Sequence, residues 1–375
     1  MKVYKTHKIR LLPTKEQEQL MWRHVGACRF IWNWALNKQN EEYQKTKKKI
    51  SLNVLMGLLT ELKHQNDTLW LNEIDSACLQ TTLRNLEKSY KRFFQGQGHP
   101  KFKSKKKSKP SYPIRNNRTY FENNTIKIPK LGKVKCQTNY SLPDKDTKLY
   151  NPRICYINNK WILTVAIESE TQAIKLTDKT MGIDLGIKEL CVVAFGNNKI
   201  VVPNINKTKD IIKKEKKLKR LQRKVARKYR VNKSYDKSNN ILKVEEQLRE
   251  MHYHLTCKRN DYIHKTTHML ISQNPKKVVM ENLAVENMMK NKNLINGLRK
   301  QKLAEFRRQM QYKCEWNGIE FILADRFYPS SKTCSNCGNI KKDLKLSDRT
   351  YVCPECGLVI DRDYNAAINL MKYAE

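Results

Sequence analysis

The chain has 375 residues, with 75 Lys and Arg against 36 Asp and Glu and a formal net charge of +39. Such an excess repels itself unless a polyanion neutralises it. No stretch approaches the ~20 apolar residues of a membrane span, and neither a basic amphipathic anchor nor a lipidation motif is evident, so nucleic acid is the better polyanion. Met1 to Arg10 lacks an apolar leader core, and the eleven cysteines are an odd count with four in paired Cys-x-x-Cys units. The expectation is a soluble intracellular protein with reduced thiols and a bound metal.

Residues 1–10 predict a short strand. From Thr14, Leu20, His24, Cys28, Ile31 and Ala35 recur at helical spacing, and Thr14 with Gln17 makes a capping box at the helix start. Further helices are predicted over 51–64 and 73–95. Gly and Pro then end the helix in QGQGHPKFKSKKKSKP. Residues 88–109 hold nine Lys and Arg and no acid, interleaved with Tyr90, Phe93, Phe94 and Phe102. Cations there suit phosphates, and the rings suit either bases or the interior of the preceding helix. From 110 to 176, the runs TIKIP, KVKCQ, RICYI and KWILTVAI, separated by turns, predict a small antiparallel barrel or sheet that the first strand can join.

From Met181 the pattern becomes α/β. MGIDLG, ELCVVAFG and KIVVP predict a three-stranded meander, turning at Gly196-Asn197-Asn198. A long helical hairpin over 207–272 follows. Its first arm, 207–233, has fourteen Lys and Arg against two acids, with one apolar seam at Ile211, Leu218, Leu221 and Val225. The second arm repeats at Ile241, Val244, Leu248, Met251, Leu255, Tyr262 and Met269. Asn274-Pro275 ends it. KKVVMEN predicts the next strand, then come a helix over 298–316, the strand IEFILAD, a cysteine region and a terminal helix from Asp363.

This order of elements matches an RNase-H-like fold, in which carboxylates on the first strand, the fourth strand and the last helix converge at one sheet edge. Asp184, Glu281 and Asp363 occupy those places. Phosphodiester hydrolysis at neutral pH needs an activated nucleophile and compensation of charge on both the attacking and the leaving oxygens. Two Mg²⁺ ions about 3.5–4 Å apart supply both, and carboxylates are the hard ligands that hold them. The expected roles are Asp184 bridging the ions, with Glu281 and Asp363 each on one ion. Asp361 is expected to cap the last helix or support the site from behind. GIDLG also resembles the phosphate loop of actin-like ATPases, but Ile187-Lys188 offers no hydroxyl there.

Cys334-x-x-Cys337, fifteen residues, then Cys353-x-x-Cys356 predicts a zinc ribbon. Gly338 and Gly357 close each knuckle, and four thiolates complete a tetrahedral site with no open position, so this Zn²⁺ is structural. Lys332, Lys341, Lys342, Lys345 and Arg349 place the ribbon against nucleic acid. His264 and His268 lie one turn apart but lack a third ligand. Cys28, Cys78, Cys136, Cys155, Cys191, Cys257 and Cys314 are expected as small core residues.

As an ordered set, HKIRLLPTKEQEQL, RFIWNWAL, SYKRFFQGQGHPKFKSKKK, GIDLGIKEL, VVMENL, RFYPSSKTCSNCG, YVCPECG and DRDYNAAINL resemble the TnpB (OrfB) proteins of bacterial insertion sequences, relatives of the type V CRISPR effectors, over nearly the whole chain. The resemblance implies a multidomain α/β protein: a wedge-like β-barrel domain (1–10 and 110–178), a helical recognition domain (11–109), a RuvC-like nuclease (179–329 and 360–375) and an inserted zinc ribbon (330–359). It implies an RNA-guided DNA endonuclease of a transposable element, cutting target DNA beside a short flanking motif. Its partners are then a guide RNA transcribed from the element's end, double-stranded target DNA and the displaced strand, with one protein per guide RNA, in the bacterial cytoplasm near the nucleoid. The family's catalytic triad falls on Asp184, Glu281 and Asp363 and its zinc ligands on Cys334, Cys337, Cys353 and Cys356. The intact triad argues against a nuclease-inactive, RNA-guided DNA-binding regulator. A ribbon immediately before the last carboxylate argues against a strand-joining DNA transposase. Tyr4, Lys5, Asn33 and Gln80 are candidates for base contacts.

Overall fold

The computed structural model describes residues 2–138, 141–171, 174–232, 236–291, 295–345 and 347–374. It divides into an N-terminal unit, Lys2–Glu170, and a C-terminal unit from Thr171 onward. No helix among the described residues is long and apolar enough to cross a membrane.

In the N-terminal unit, β1 (Lys2–Leu12) leads into α1 (Lys15–Thr46). Thr14 and Gln17 form the expected capping box, each side chain bonding the other's backbone amide. Next come α2 (Leu52–Leu62), a 3₁₀ segment (Asn66–Glu73) and α3 (Ser76–Phe94), capped by Asp75. The helix predicted over 73–95 is α3, which starts three residues later because Asp75 caps it. The strands are β2 (Ser111–Pro113), β3 (Tyr120–Glu122), β4 (Thr125–Ile128), β5 (Gly132–Gln137), β6 (Leu149–Ile157) and β7 (Lys160–Glu170). They form a seven-stranded sheet in the order β2-β6-β7-β1-β5-β4-β3. β1 runs antiparallel to β7 from Lys2 opposite Glu170 to Leu11 opposite Trp161, so the first strand lies inside this sheet. Alternate residues Ile9, Leu11, Leu163 and Val165 pack with Met21 and Val25 of α1 in one core, and α1 to α3 share a second around Ile31, Leu55 and Leu83.

The C-terminal unit opens with the meander β8 (Thr180–Leu185), β9 (Cys191–Phe195) and β10 (Asn198–Val202). Gly196 at the β9–β10 turn has a φ of +56°, which a glycine adopts without strain. The hairpin is α4 (Lys209–Val231) and α5 (Asn239–Ile271). β11 (Lys277–Met280) follows, then α6 (Val285–Met288), α7 (Ile295–Gln301), α8 (Leu303–Trp316) and β12 (Glu320–Leu323). The ribbon strands β13 (Thr350–Val352) and β14 (Val359–Asp361) lead straight into α9 (Arg362–Lys372).

The five-stranded sheet has the order β10-β9-β8-β11-β12, with the meander antiparallel and β8, β11 and β12 parallel. Side chains alternate across it. Met181, Ile183, Val193, Val278 and Met280 face Ile263 and Leu270 of α5 and Phe306 and Met310 of α8. Val192, Ala194 and Val279 face Ala367 and Leu370 of α9. One predicted helix, 298–316, is two: Lys302 is left-handed (φ 54°) and separates α7 from α8. The break accompanies the burial of Gln301, whose side-chain amide donates to the carbonyls of Gly186, Ile187 and Glu189 in the loop after β8.

Candidate metal sites and nucleic-acid surface

Strand parity places the first two carboxylates. Asp184 shares the α9 side of β8 with Gly182, and Glu281, just past β11, shares it with Val279. Met280 pairs with Ile183 in the parallel register, so one residue further on Glu281 comes level with Asp184, on strands that lie about 4.8 Å apart. Asp363 arrives from above, in the first turn of α9, where negative charge is favoured. The helix can approach because of Gly182: a Cβ there would lie 2.1 Å from the Ala367 carbonyl oxygen and 2.4 Å from the Met371 nitrogen.

The electrostatics agree. Burial, then the carboxylates of Glu281 and Asp363, push Asp184 well above its ordinary pKa, with Arg362 opposing in part. Burial also raises Glu281. Burial and the neighbouring carboxylates both disfavour the charged form of Asp184, so a divalent cation among these groups would relieve a cost the fold carries. The oxygens are not drawn into one tight knot. Among the described residues only the four thiols bring three or more ligand atoms within 4.8 Å of one another. Asp361 caps α9 by accepting the Tyr364 amide and lies 3.5 Å from Lys199. Arg362 stands 3.9 Å from Asp363, a neighbour the sequence pattern did not single out.

The thiols of Cys334 and Cys356 are 3.6 Å apart, and those of Cys337 and Cys353 3.5 Å. A tetrahedron with Zn–S bonds of ~2.3 Å has edges of about 3.8 Å, so the four sulfurs are spaced for zinc. Each knuckle closes alike: Gly338 and Gly357 are left-handed and donate their amides to the Cys334 and Cys353 carbonyls. The Leu358 amide and the Asn336 side chain pull Cys356 down to about 6. Cys337 goes the other way, to about 12: the Asn339 amide favours its thiolate, but burial and the three neighbouring thiols outweigh that. Tyr351, fully buried, packs with Leu344, Leu358 and Ile360 beneath the cluster.

Several sequence expectations need correction. Cys257 is exposed, and Cys136 and Cys155 are only half-buried, so these are not core residues. His264 and His268, as expected, have no third ligand: both are exposed and belong to no group of three ligands among the described residues. Asn33 is committed to its own chain, donating to the Lys103 carbonyl and accepting the Lys103 amide, each at 2.8 Å. Tyr90 is buried, whereas Phe94 and Phe102 are 73% and 58% exposed, so the helix splits this aromatic set between core and surface.

In the N-terminal unit the basic loop meets α1 and α3 around a cavity of about 780 Å³, lined by Trp22, Arg29, Trp32, Lys103, Lys109 and Arg153 among others, with no acid. Burial, with Arg153 adding, lowers Lys103 to about 8, and its Nζ sits 3.5 Å above the Trp32 ring. In the C-terminal unit, Lys209, Lys213, Lys216, Lys217 and Arg220 of α4 line a basic surface whose one acid, Asp210, is paired with Lys214 and Lys258. Both surfaces suit a phosphate backbone.

Against this geometry stand the comparisons. The OrfB_IS605 family, described as "Probable transposase", matches residues 163–292, and a Cas12f1-like TNB domain matches 304–370. A helix-turn-helix domain of the OrfB_IS605 family matches 1–48, where the structure has one strand and one unbroken helix. A Streptomyces pristinaespiralis protein is 29% identical over 98% of this chain and 89% of its own, and Escherichia coli K12 InsQ is 30% identical over 99% and 92%; both carry the name "Putative RNA-guided DNA endonuclease". The mimivirus "TnpB-like protein L770" is 26% identical over 98% of this chain and 72% of its own. Among solved structures, a Cas12f1–sgRNA–target DNA complex matches 99% of both chains at a TM-score of 0.63 and 15% identity, which establishes a shared fold.

Proposed function

The chain belongs to the TnpB (OrfB) family, and from that premise we propose that it is an RNA-guided endonuclease of a transposable element, cutting target DNA beside a short flanking motif. The observation that carries the nuclease reading is the convergence of Asp184, Glu281 and Asp363 on the α9 side of the sheet, with Asp184 raised first by burial and then by the other two. The strand order β10-β9-β8-β11-β12 supports an RNase-H-like, RuvC-type assignment for 179–329 and 360–375. The charge of +39 supplies the backbone contacts that a guide–target duplex demands.

In this reading Asp184, Glu281 and Asp363 hold two Mg²⁺ ions, which when bound activate water and neutralise charge on the scissile phosphate. The chain's own part is positional. β8 and β11 hold two carboxylates level, Gly182 lets α9 bring the third close, and Gln301 fixes the loop that follows Asp184. The zinc ribbon contributes shape and the exposed cations Lys332, Lys342, Lys345 and Arg349. The basic loop at 101–109 and the α4 face contact phosphates, while RNA–DNA pairing supplies the sequence specificity.

The test is purification with the native locus, sequencing of co-purified RNA, and challenge with a DNA library randomised beside the target, in Mg²⁺. One RNA species and cleavage restricted to one flanking motif are expected. Absence of a specific RNA overturns the guided reading. Joined DNA strands in place of cut ends would favour the transposase that the family description names.

A further inference from the structure

The last helix carries more than Asp363. Asn365 and Asn369 lie one turn apart on its inner face, 0% and 3% exposed. Asn365 accepts the Ser335 amide at 2.9 Å and donates to the Thr333 carbonyl at 2.7 Å. Asn369 donates to the carbonyls of Ser330 and Thr333, both at 2.7 Å, and Lys372 Nζ donates to the Ser335 carbonyl at 2.6 Å. The gripped segment, 330–335, is the entry to the first metal knuckle and contains Cys334. The second knuckle reaches the same helix along the chain, through β14. There the Arg362 amide donates to the Arg349 carbonyl at 2.9 Å, and its guanidinium donates to the carbonyls of Lys345 and Asp348. Both halves of the four-cysteine cluster are therefore tied to α9, on either side of Asp363.

Apolar side chains would suffice to anchor a helix. Amides aimed at particular backbone groups of the knuckle require that the knuckle be folded, and in a ribbon with so small an apolar core the metal does that folding. We propose that Asn365, Asn369 and Lys372 are positioning residues that lock the first knuckle to α9, so that zinc in the four-cysteine site sets the position of the Asp363 carboxylate. The consequence for cutting rests on the nuclease reading above; the clamp itself does not.

Hydrogen exchange on the full-length chain tests it, comparing protein loaded with one Zn²⁺ and protein stripped of it. Stripping should deprotect the amides of 362–372 along with the ribbon, while β1 and β7 stay protected. The double variant Asn365→Ala/Asn369→Ala should show a loosened α9 even with zinc bound, and should release zinc to a chelator about tenfold faster than wild type. Should that variant fail to fold, Lys372→Met, at the edge of the clamp, should show the same changes in smaller measure and Lys372→Arg should reverse them. Unchanged α9 protection on stripping zinc, or wild-type zinc release in every variant, overturns the proposal. If the exchange and release change as stated but the wild-type protein cuts no DNA, the clamp stands and the nuclease reading fails.

Discussion

The four thiols and the three carboxylates of the C-terminal unit are assembled by opposite means. Cys334, Cys337, Cys353 and Cys356 come from two short knuckles, the second at the turn of the β13–β14 hairpin, with sulfurs already at metal-ligand spacing. Asp184, Glu281 and Asp363 come from two strands and a helix far apart in the chain, brought together by sheet register and by the close approach at Gly182. The thiol cluster is local, and its donor set and spacing fit a structural Zn²⁺. The carboxylate cluster is positioned by the register and apolar core of the five-stranded sheet, where burial and its neighbours raise Asp184.

That contrast can be broken at either end. Cys353→Ser should reduce bound zinc from one per chain to none, removing a local stabilisation of roughly 10 kcal/mol. Exchange should then rise across the ribbon and not in the N-terminal unit, and loss of protection throughout the chain would contradict local assembly. Glu281→Gln should leave zinc content and melting temperature nearly unchanged while cleavage by the guide-loaded protein falls by about a thousandfold or more. Gly182→Val should cost about 2–3 kcal/mol, read by denaturant titration, because α9 cannot recede without leaving the sheet. The smallest effect sharpens the electrostatic half. A carboxyl raised above its ordinary value of about 3.9 favours the fold while neutral, and that contribution is lost as pH rises through the raised pKa. In zinc-loaded, Mg²⁺-free buffer Asp184→Asn should melt above wild type at pH 7, the gap closing below pH ~4. Mg²⁺ should raise the melting temperature of wild type and not that of the variant.

Local chemistry was readable from residues alone. The Thr14–Gln17 cap, the Gly196 turn and the Cys-x-x-Cys knuckles each depend on neighbours within a few positions. The meander also followed from its pattern, because period-two burial is written along each strand. What escaped reading depends on partners distant in sequence. Nothing near Lys302 announces a helix break, since Gln301 is drawn in by carbonyls at 186–189. Asn33 offered a plausible base contact until the Lys103 backbone claimed it. Cys257 sits on the outer face of a helix whose heptad stripe uses other positions. Asn365 and Asn369 did leave a trace, as polar residues at i and i+4 flanking the buried Ala366 and Ala367. The convergence of the carboxylates needed the fold order to be guessed first, and the guide RNA entered only through family resemblance.

The most direct test is cleavage of a guide-matched DNA duplex by protein loaded with RNA and zinc, wild type beside Asp184→Ala, with equal zinc content and equal DNA binding verified. Wild type cutting in Mg²⁺ while the variant binds but leaves the duplex intact is the expected result. A variant that cuts at the wild-type rate would contradict the assignment of this carboxylate cluster as the catalytic centre.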